Sequence, residues 1–177
     1  IPFWLEKSLD RENGGYFTCL TRAGEVYDTD KFVWLQGREV WMFAYLCCNV
    51  EKKKEWLDAS IHGAEFIKKY GHDGENNFYF SLSRDGTPQV DPYRIFSNTF
   101  ACLAFAQIAE ATKNKNYEEI AKTTFERILA RIDNQKGHWN KASSKARKMK
   151  AFDLPMILCN VSLEIENLIG KEKVKEK

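Results

Sequence analysis

A lone arginine, Arg38, stands in the stretch KFVWLQGREVW (31–41) beside a glutamine and a glycine, in otherwise apolar surroundings. Burying a cation without a partner is expensive. Two roles fit. Arg38 can close a salt bridge to a carboxylate such as Asp28, Asp30 or Glu39. It can instead be a fixed guanidinium that stabilises negative charge building on an oxygen where water is excluded. Trp34 lies one helical turn before Arg38, so both share a face. Gly37 lets another backbone approach, and Trp41 reads as core.

Other residue types that carry chemistry form weaker patterns. His138 precedes Trp139 with nothing to pair it, and His62 and His72 fall on an outer helix and a turn. The five cysteines, Cys19, Cys47, Cys48, Cys102 and Cys159, are odd in number and come without a secretory segment. Reduced, buried thiols and a cytoplasmic location fit them. No metal constellation joins these side chains, and no Gly-rich phosphate loop is present. A glycoside hydrolase needs an acid and a second carboxylate across the sugar bond; Asp28, Asp30, Asp91 and Asp153 are available, yet none has a distinctive setting. The basic run KARKMK (145–150) has no nucleic-acid motif beside it and reads as an exposed loop. No apolar run reaches the length of a membrane span. Neither nucleic acid nor membrane is therefore an expected partner. Aromatic residues make up 14% of the chain, which suits a bulky core or a cleft lined with flat rings, as carbohydrate sites use.

The elements that must position these residues repeat. GYFTCLTRAG (15–24) aligns with NFYFSLSRDG (77–86) at a constant offset, pairing Tyr16 with Phe78, Leu20 with Leu82, Arg22 with Arg84 and Gly24 with Gly86. Each copy predicts a strand, a turn at R-x-G and a weak return strand before a helix. A fainter copy starts at GHWNKASS (137–144). Helices predicted over 33–50, 95–112 and 153–169 are apolar on most faces. Those over 55–70 and 117–132 carry one apolar stripe. A helix apolar all round is buried and a striped one faces water. The order is inner, outer, inner, outer, inner, which describes helical hairpins around a centre. The count stops at about three hairpins. The chain starts Ile1-Pro2-Phe3-Trp4, ends KEKVKEK and reads as incomplete. A small solenoid of helix pairs is the alternative.

Three pieces carry a resemblance to a known family: FWLEKSLDRENGGYFTCLTRAGEVYDTDKFVWLQGREVWM (3–42), FYFSLSRDGTPQ (78–89) and RIFSNTF (94–100). They resemble the N-acylglucosamine 2-epimerases, also described as renin-binding proteins, and the vertebrate type most closely. The resemblance implies an all-α fold, an (α/α)6 toroid with short β-hairpins in its loops. Residues 1–177 would be its amino-terminal half, about three of six helical hairpins. It implies interconversion of N-acetylglucosamine and N-acetylmannosamine through proton removal at C2 of the ring-opened sugar. Two histidines of the carboxy-terminal half would act as acid and base, so this chain alone should be inactive. It also implies a homodimer when full length, no required cofactor, activation by ATP or a related nucleotide, and renin as a partner. The runner-up is a non-enzymatic helical interaction protein of the renin-binding kind.

The resemblance sharpens the residue roles. Arg38 becomes the cation that stabilises the enolate. Trp34 can pack on the sugar ring or in the core, and Gln36 can bond a hydroxyl or cap a strand or turn. Phe96 and Asn98 are the repeat equivalents of Trp34 and Gln36 and would line the same cavity, with core packing and helix capping as their alternatives. Arg94 suits a loop salt bridge. One departure matters. Bacterial relatives resemble N-P-M-M-H on the third inner helix, where this chain reads LPMIL (154–158). Leu154 and Leu158 replace the polar pair, which disfavours mannose- or cellobiose-type specificity.

Overall fold

The computed structural model describes residues 1–92, 94–132 and 152–175. Trp139, His138, the third hairpin copy and the KARKMK run lie outside the described residues. A short helix α1 (Pro2–Lys7) precedes strands β1 (Cys19–Leu20), β2 (Val26–Asp28) and β3 (Lys31–Phe32). Helices α2 (Val33–Asn49) and α3 (Lys54–Tyr70) follow, then β4 (Ser81–Leu82) and β5 (Pro88–Val90). Helices α4 (Phe96–Thr112), α5 (Lys115–Ala130), α6 (Asp153–Ile169) and α7 (Lys171–Lys175) complete the chain.

The repeat is real in three dimensions. β1 pairs antiparallel with β2, and β4 with β5. Each turn bends at the R-x-G glycine, where Gly24 and Gly86 take φ of +87° and +94°, a region most side chains avoid. The turn bonds match as well. Gly24 N–H donates to the Thr21 carbonyl and Gly86 N–H to that of Ser83, both at 3.0 Å. Tyr16 and Phe78 are fully buried, and each leans on an aromatic ring of the next inner helix, Phe43 at 6.2 Å and Phe105 at 6.4 Å. β3 departs from the repeat. It pairs with β4, Lys31 opposite Leu82 and Phe32 opposite Ser81, and so ties the first unit to the second hairpin. Because β3 runs directly into α2, the start of α2 lies at this sheet, and Val33 N–H donates to the Phe80 carbonyl at 3.1 Å. That bond satisfies one of the donors a helix start leaves open.

α4 is the centre of the molecule, with its residues buried continuously from Ala101 to Ala109. α2, α5 and α6 pack against it, while α3 backs α2. The outer helices bury one stripe each: Trp56, Ser60, Gly63 and Ile67 on α3, and Tyr117, Ala121, Phe125 and Ile128 on α5. The arrangement is all-α, with short β-hairpins in the loops, and is that of one half of an (α/α)6 toroid. α6 corrects one expectation. It buries Leu154, Ile157, Val161 and Ile165 but leaves Met156 58% and Leu163 68% exposed, beside Phe152 at 76%. An apolar pattern all round marks both faces for burial, and only one face has a partner among the described residues. The cysteines also differ from expectation. All five are free, but only Cys102 is buried, and Cys48 and Cys159 are exposed. Among the described residues no helix is long and apolar enough to cross a membrane.

Candidate functional site

The opening turns of α2 and α4 lie side by side, joined through the β3–β4–β5 sheet. Arg38 stands on the exposed side of α2 and forms no salt bridge to Asp28, Asp30 or Glu39. Among the described residues it makes no hydrogen bond or ion pair. Its guanidinium carbon lies 5.6 Å from the centre of the Phe100 ring on α4. Trp34 packs on the same ring, at 5.9 Å between centroids. Gly37 explains how the helices come so close: a Cβ there would stand 2.7 Å from the Phe100 carbonyl oxygen. The backbone approach expected of Gly37 is therefore present. Phe96 is half-buried beneath the Arg94 guanidinium, 5.4 Å from its ring centre, and does not join the Trp34–Arg38–Phe100 group.

The structure places two of the expected sugar contacts, Gln36 and Asn98, in the interior. Gln36 is fully buried. Its Oε1 accepts the Tyr16 N–H and its Nε2 donates to the Tyr16 carbonyl, both at 2.8 Å. Both polar ends are engaged by one residue's backbone, as in a rung of a strand ladder, and the side chain is closed off from solvent. Asn98 does the same one unit on. It is fully buried, accepts the Phe78 N–H at 3.2 Å and donates to the Asn76 carbonyl at 2.6 Å. It caps no helix. The repeat equivalence of Gln36 and Asn98 holds, but the shared role is to pin each hairpin to its inner helix. Trp41 is only half-buried and stacks on Tyr45 at 5.0 Å.

Glu39 bonds at the C-terminal end of α1 rather than to Arg38. Its carboxylate accepts from the Ser8 hydroxyl. Burial pushes its pKa up to about 8, against the opposing pull of that hydrogen bond. A cavity of about 350 Å3 lies here, lined by Trp4, Thr18, Leu35, Arg38, Glu39, Trp41 and Met42. Burial also raises the pKa of Glu164 on α6, while the Trp41 indole pulls it the other way.

One buried network had no counterpart in the sequence reading. Lys31 is completely buried and bonds Asp10 Oδ2 at 2.9 Å, the Gly14 carbonyl at 2.5 Å and the Arg84 carbonyl at 2.7 Å. Arg84 grips the same carboxylate through Nε at 2.9 Å and Nη2 at 3.1 Å. The network locks the loop after α1 and strand β3 to the second hairpin. The repeat gives no hint of it, since the positions equivalent to Asp10 and Lys31 in the second unit hold His72 and Tyr93. His62 and His72 are structural: His62 Nε2 meets the Gly15 carbonyl at 3.0 Å, and His72 bonds Lys68 O and Gly74 N–H. Among the described residues no group of three or more His, Cys, Asp or Glu could hold a metal ion.

This half of a toroid, with an exposed arginine that is unpaired among the described residues, can be set beside known proteins. The N-acylglucosamine 2-epimerase family model matches residues 15–176. The chain belongs to that family. Human N-acylglucosamine 2-epimerase is 34% identical over 97% of this chain and 42% of its own length. The mouse protein of the same name is 36% identical over 97% of this chain and 41% of its own. A solved sugar epimerase from a ruminal bacterium superposes with a TM-score of 0.82 at 25% identity, over 99% of this chain and 48% of that one. As a family member the chain therefore spans about two fifths of the length of the curated relatives it matches.

Proposed function

We propose that the chain supplies one wall of a sugar 2-epimerase site that interconverts N-acetylglucosamine and N-acetylmannosamine. The carrying observation is Arg38, an exposed permanent cation whose donors are unspent among the described residues, with an aromatic ring beside it. Removing the C2 proton of the open-chain sugar puts negative charge on the neighbouring carbonyl oxygen. A guanidinium already in place stabilises that charge without reorganising at the moment of reaction. Trp34 and Phe100 offer flat apolar surface beside it. Leu154 is buried and Leu158 half-buried on α6, so neither offers the hydrogen bond that a mannose- or cellobiose-type pattern would. The relatives named above support the same substrate class. His62 and His72, the histidines among the described residues, are held by backbone groups and are not free to move the C2 proton; the acid and base are assigned to the carboxy-terminal half that the family resemblance implies. By itself the 177-residue chain then carries no turnover.

The experiment is deuterium incorporation at C2 of N-acetylmannosamine in heavy water, with the natural protein and with the 177-residue chain alone. Exchange by the first and none by the second is expected. Ordinary exchange by the chain alone, or none by either, overturns the proposal. The uncovered α6 stripe of Phe152, Met156 and Leu163 favours a second reading, a helical interaction protein. A stable partner protein on the natural molecule, with no C2 exchange, would select it.

A further inference from the structure

We propose that Phe100 is a positioning residue for Arg38, and that Gly37 fixes where Phe100 can do this. The inference rests on the reading of Arg38 as the cation that meets the developing oxyanion. An exposed arginine on a helix samples many rotamers, and a donor that must first be ordered loses much of its value as a preorganised group. A carboxylate partner would order it, but would also occupy its N–H groups and cancel its charge. An aromatic face orders a guanidinium through the ring quadrupole and leaves all the donors free.

That is the arrangement here. The Arg38 guanidinium lies 5.6 Å from the Phe100 ring centre, within the range of such contacts. The ring itself is held. Trp34 lies against it at 5.9 Å, and the Phe100 backbone is seated on Gly37, where a Cβ would come within 2.9 Å of its carbonyl carbon. Arg38 and Phe100 occupy equivalent positions of the two repeat units. The second unit thus supplies the ring that steadies the cation of the first.

The test is NMR of the Arg38 Nε–H group in the 177-residue chain, assigned by its loss in Arg38→Lys. In the wild-type chain the signal should be shifted upfield by the ring. Its order parameter should lie well above the flexible range, which begins below about 0.6. Phe100→Leu should abolish the shift and drop the order parameter into that range. Phe100→Tyr, which keeps the ring face, should retain both, and Gly37→Ala should weaken both by pushing the helices apart. Unchanged Arg38 signals in Phe100→Leu would overturn the proposal. So would a wild-type Arg38 as mobile as the exposed Arg22, a comparison that needs no variant of Phe100 to fold. These readouts do not depend on catalysis, so the C2-exchange assay separates a failed epimerase reading from a failed contact.

Discussion

Asp10→Asn changes almost no atoms yet should be among the most damaging substitutions in the molecule. Lys31 is completely buried, and its ammonium loses its counter-charge while keeping the Gly14 and Arg84 carbonyls. An uncompensated buried charge of this kind costs about 3–5 kcal/mol. The lost pairing with Arg84 adds little, because that side chain is 39% exposed and screened by water. A loss of about 3–4 kcal/mol follows, which for a chain of this size lowers Tm by roughly 6–16 °C. Urea unfolding at neutral pH reads it as a lower midpoint with unchanged slope. Adding Lys31→Met to Asp10→Asn should recover most of the loss, since an apolar side chain replaces the stranded cation. The pH dependence has a definite sign. Burial pushes the Asp10 carboxyl up, but hydrogen bonds from Arg84, Lys31 and the Asn13 N–H outweigh it and hold the group well below the usual range. A depressed folded-state pKa means that the contribution is complete above about pH 4 and fades as the pH falls below it. Asp10→Asn should remove that acid dependence. A loss below about 1 kcal/mol, no more than an exposed pair contributes, would refute the reasoning.

Glu39 should behave in the opposite sense. Its folded-state pKa of about 8 exceeds the ordinary carboxylate value, so the unfolded chain gives up this proton first. Stability should fall as pH rises from about 4.5 to 8, by up to about 1.4 kcal/mol per unit. Glu39→Gln should flatten that slope and make the variant the more stable of the two at pH 8, by equilibrium unfolding at a series of pH values. Gln36→Leu should cost about 2–4 kcal/mol, because it strands a buried backbone donor and acceptor, and Asn98→Leu about 1–3 kcal/mol, because it strands the buried Phe78 N–H while the half-buried Asn76 carbonyl can turn to water. The two losses should add, since they pin different hairpins. An effect under about 1 kcal/mol for either would show that water replaces the clamp.

The repeat was the most legible feature of the chain. R-x-G turns, buried Tyr16 and Phe78, and the Gln36–Asn98 equivalence all follow from one alignment, because equal local sequence meets equal packing. Helix character was legible for the same reason: one stripe means one buried face. α6 shows the limit, since an apolar pattern says that a face seeks burial and not that a partner is there. Site roles were harder to read. Gln36 and Asn98 have the side chains of sugar ligands, and only three-dimensional proximity reveals that backbone amides already use them. The Asp10–Lys31–Arg84 network joins residues up to 74 positions apart, and the repeat matches neither Asp10 nor Lys31, so spacing carries no trace of it. Arg38 stood out because a cation among apolar residues demands an explanation. That its partner is the ring of Phe100 needed the close contact at Gly37.

The central claim is that Arg38 meets charge developing on the sugar. The most direct measurement is C2 deuterium exchange into N-acetylmannosamine by the natural protein carrying Arg38→Ala. Loss of a preorganised oxyanion donor predicts a fall in kcat of about 100- to 1000-fold with KM little changed. A folded Arg38→Ala protein that keeps its exchange rate within about threefold, less than about 1 kcal/mol of barrier, would contradict the account.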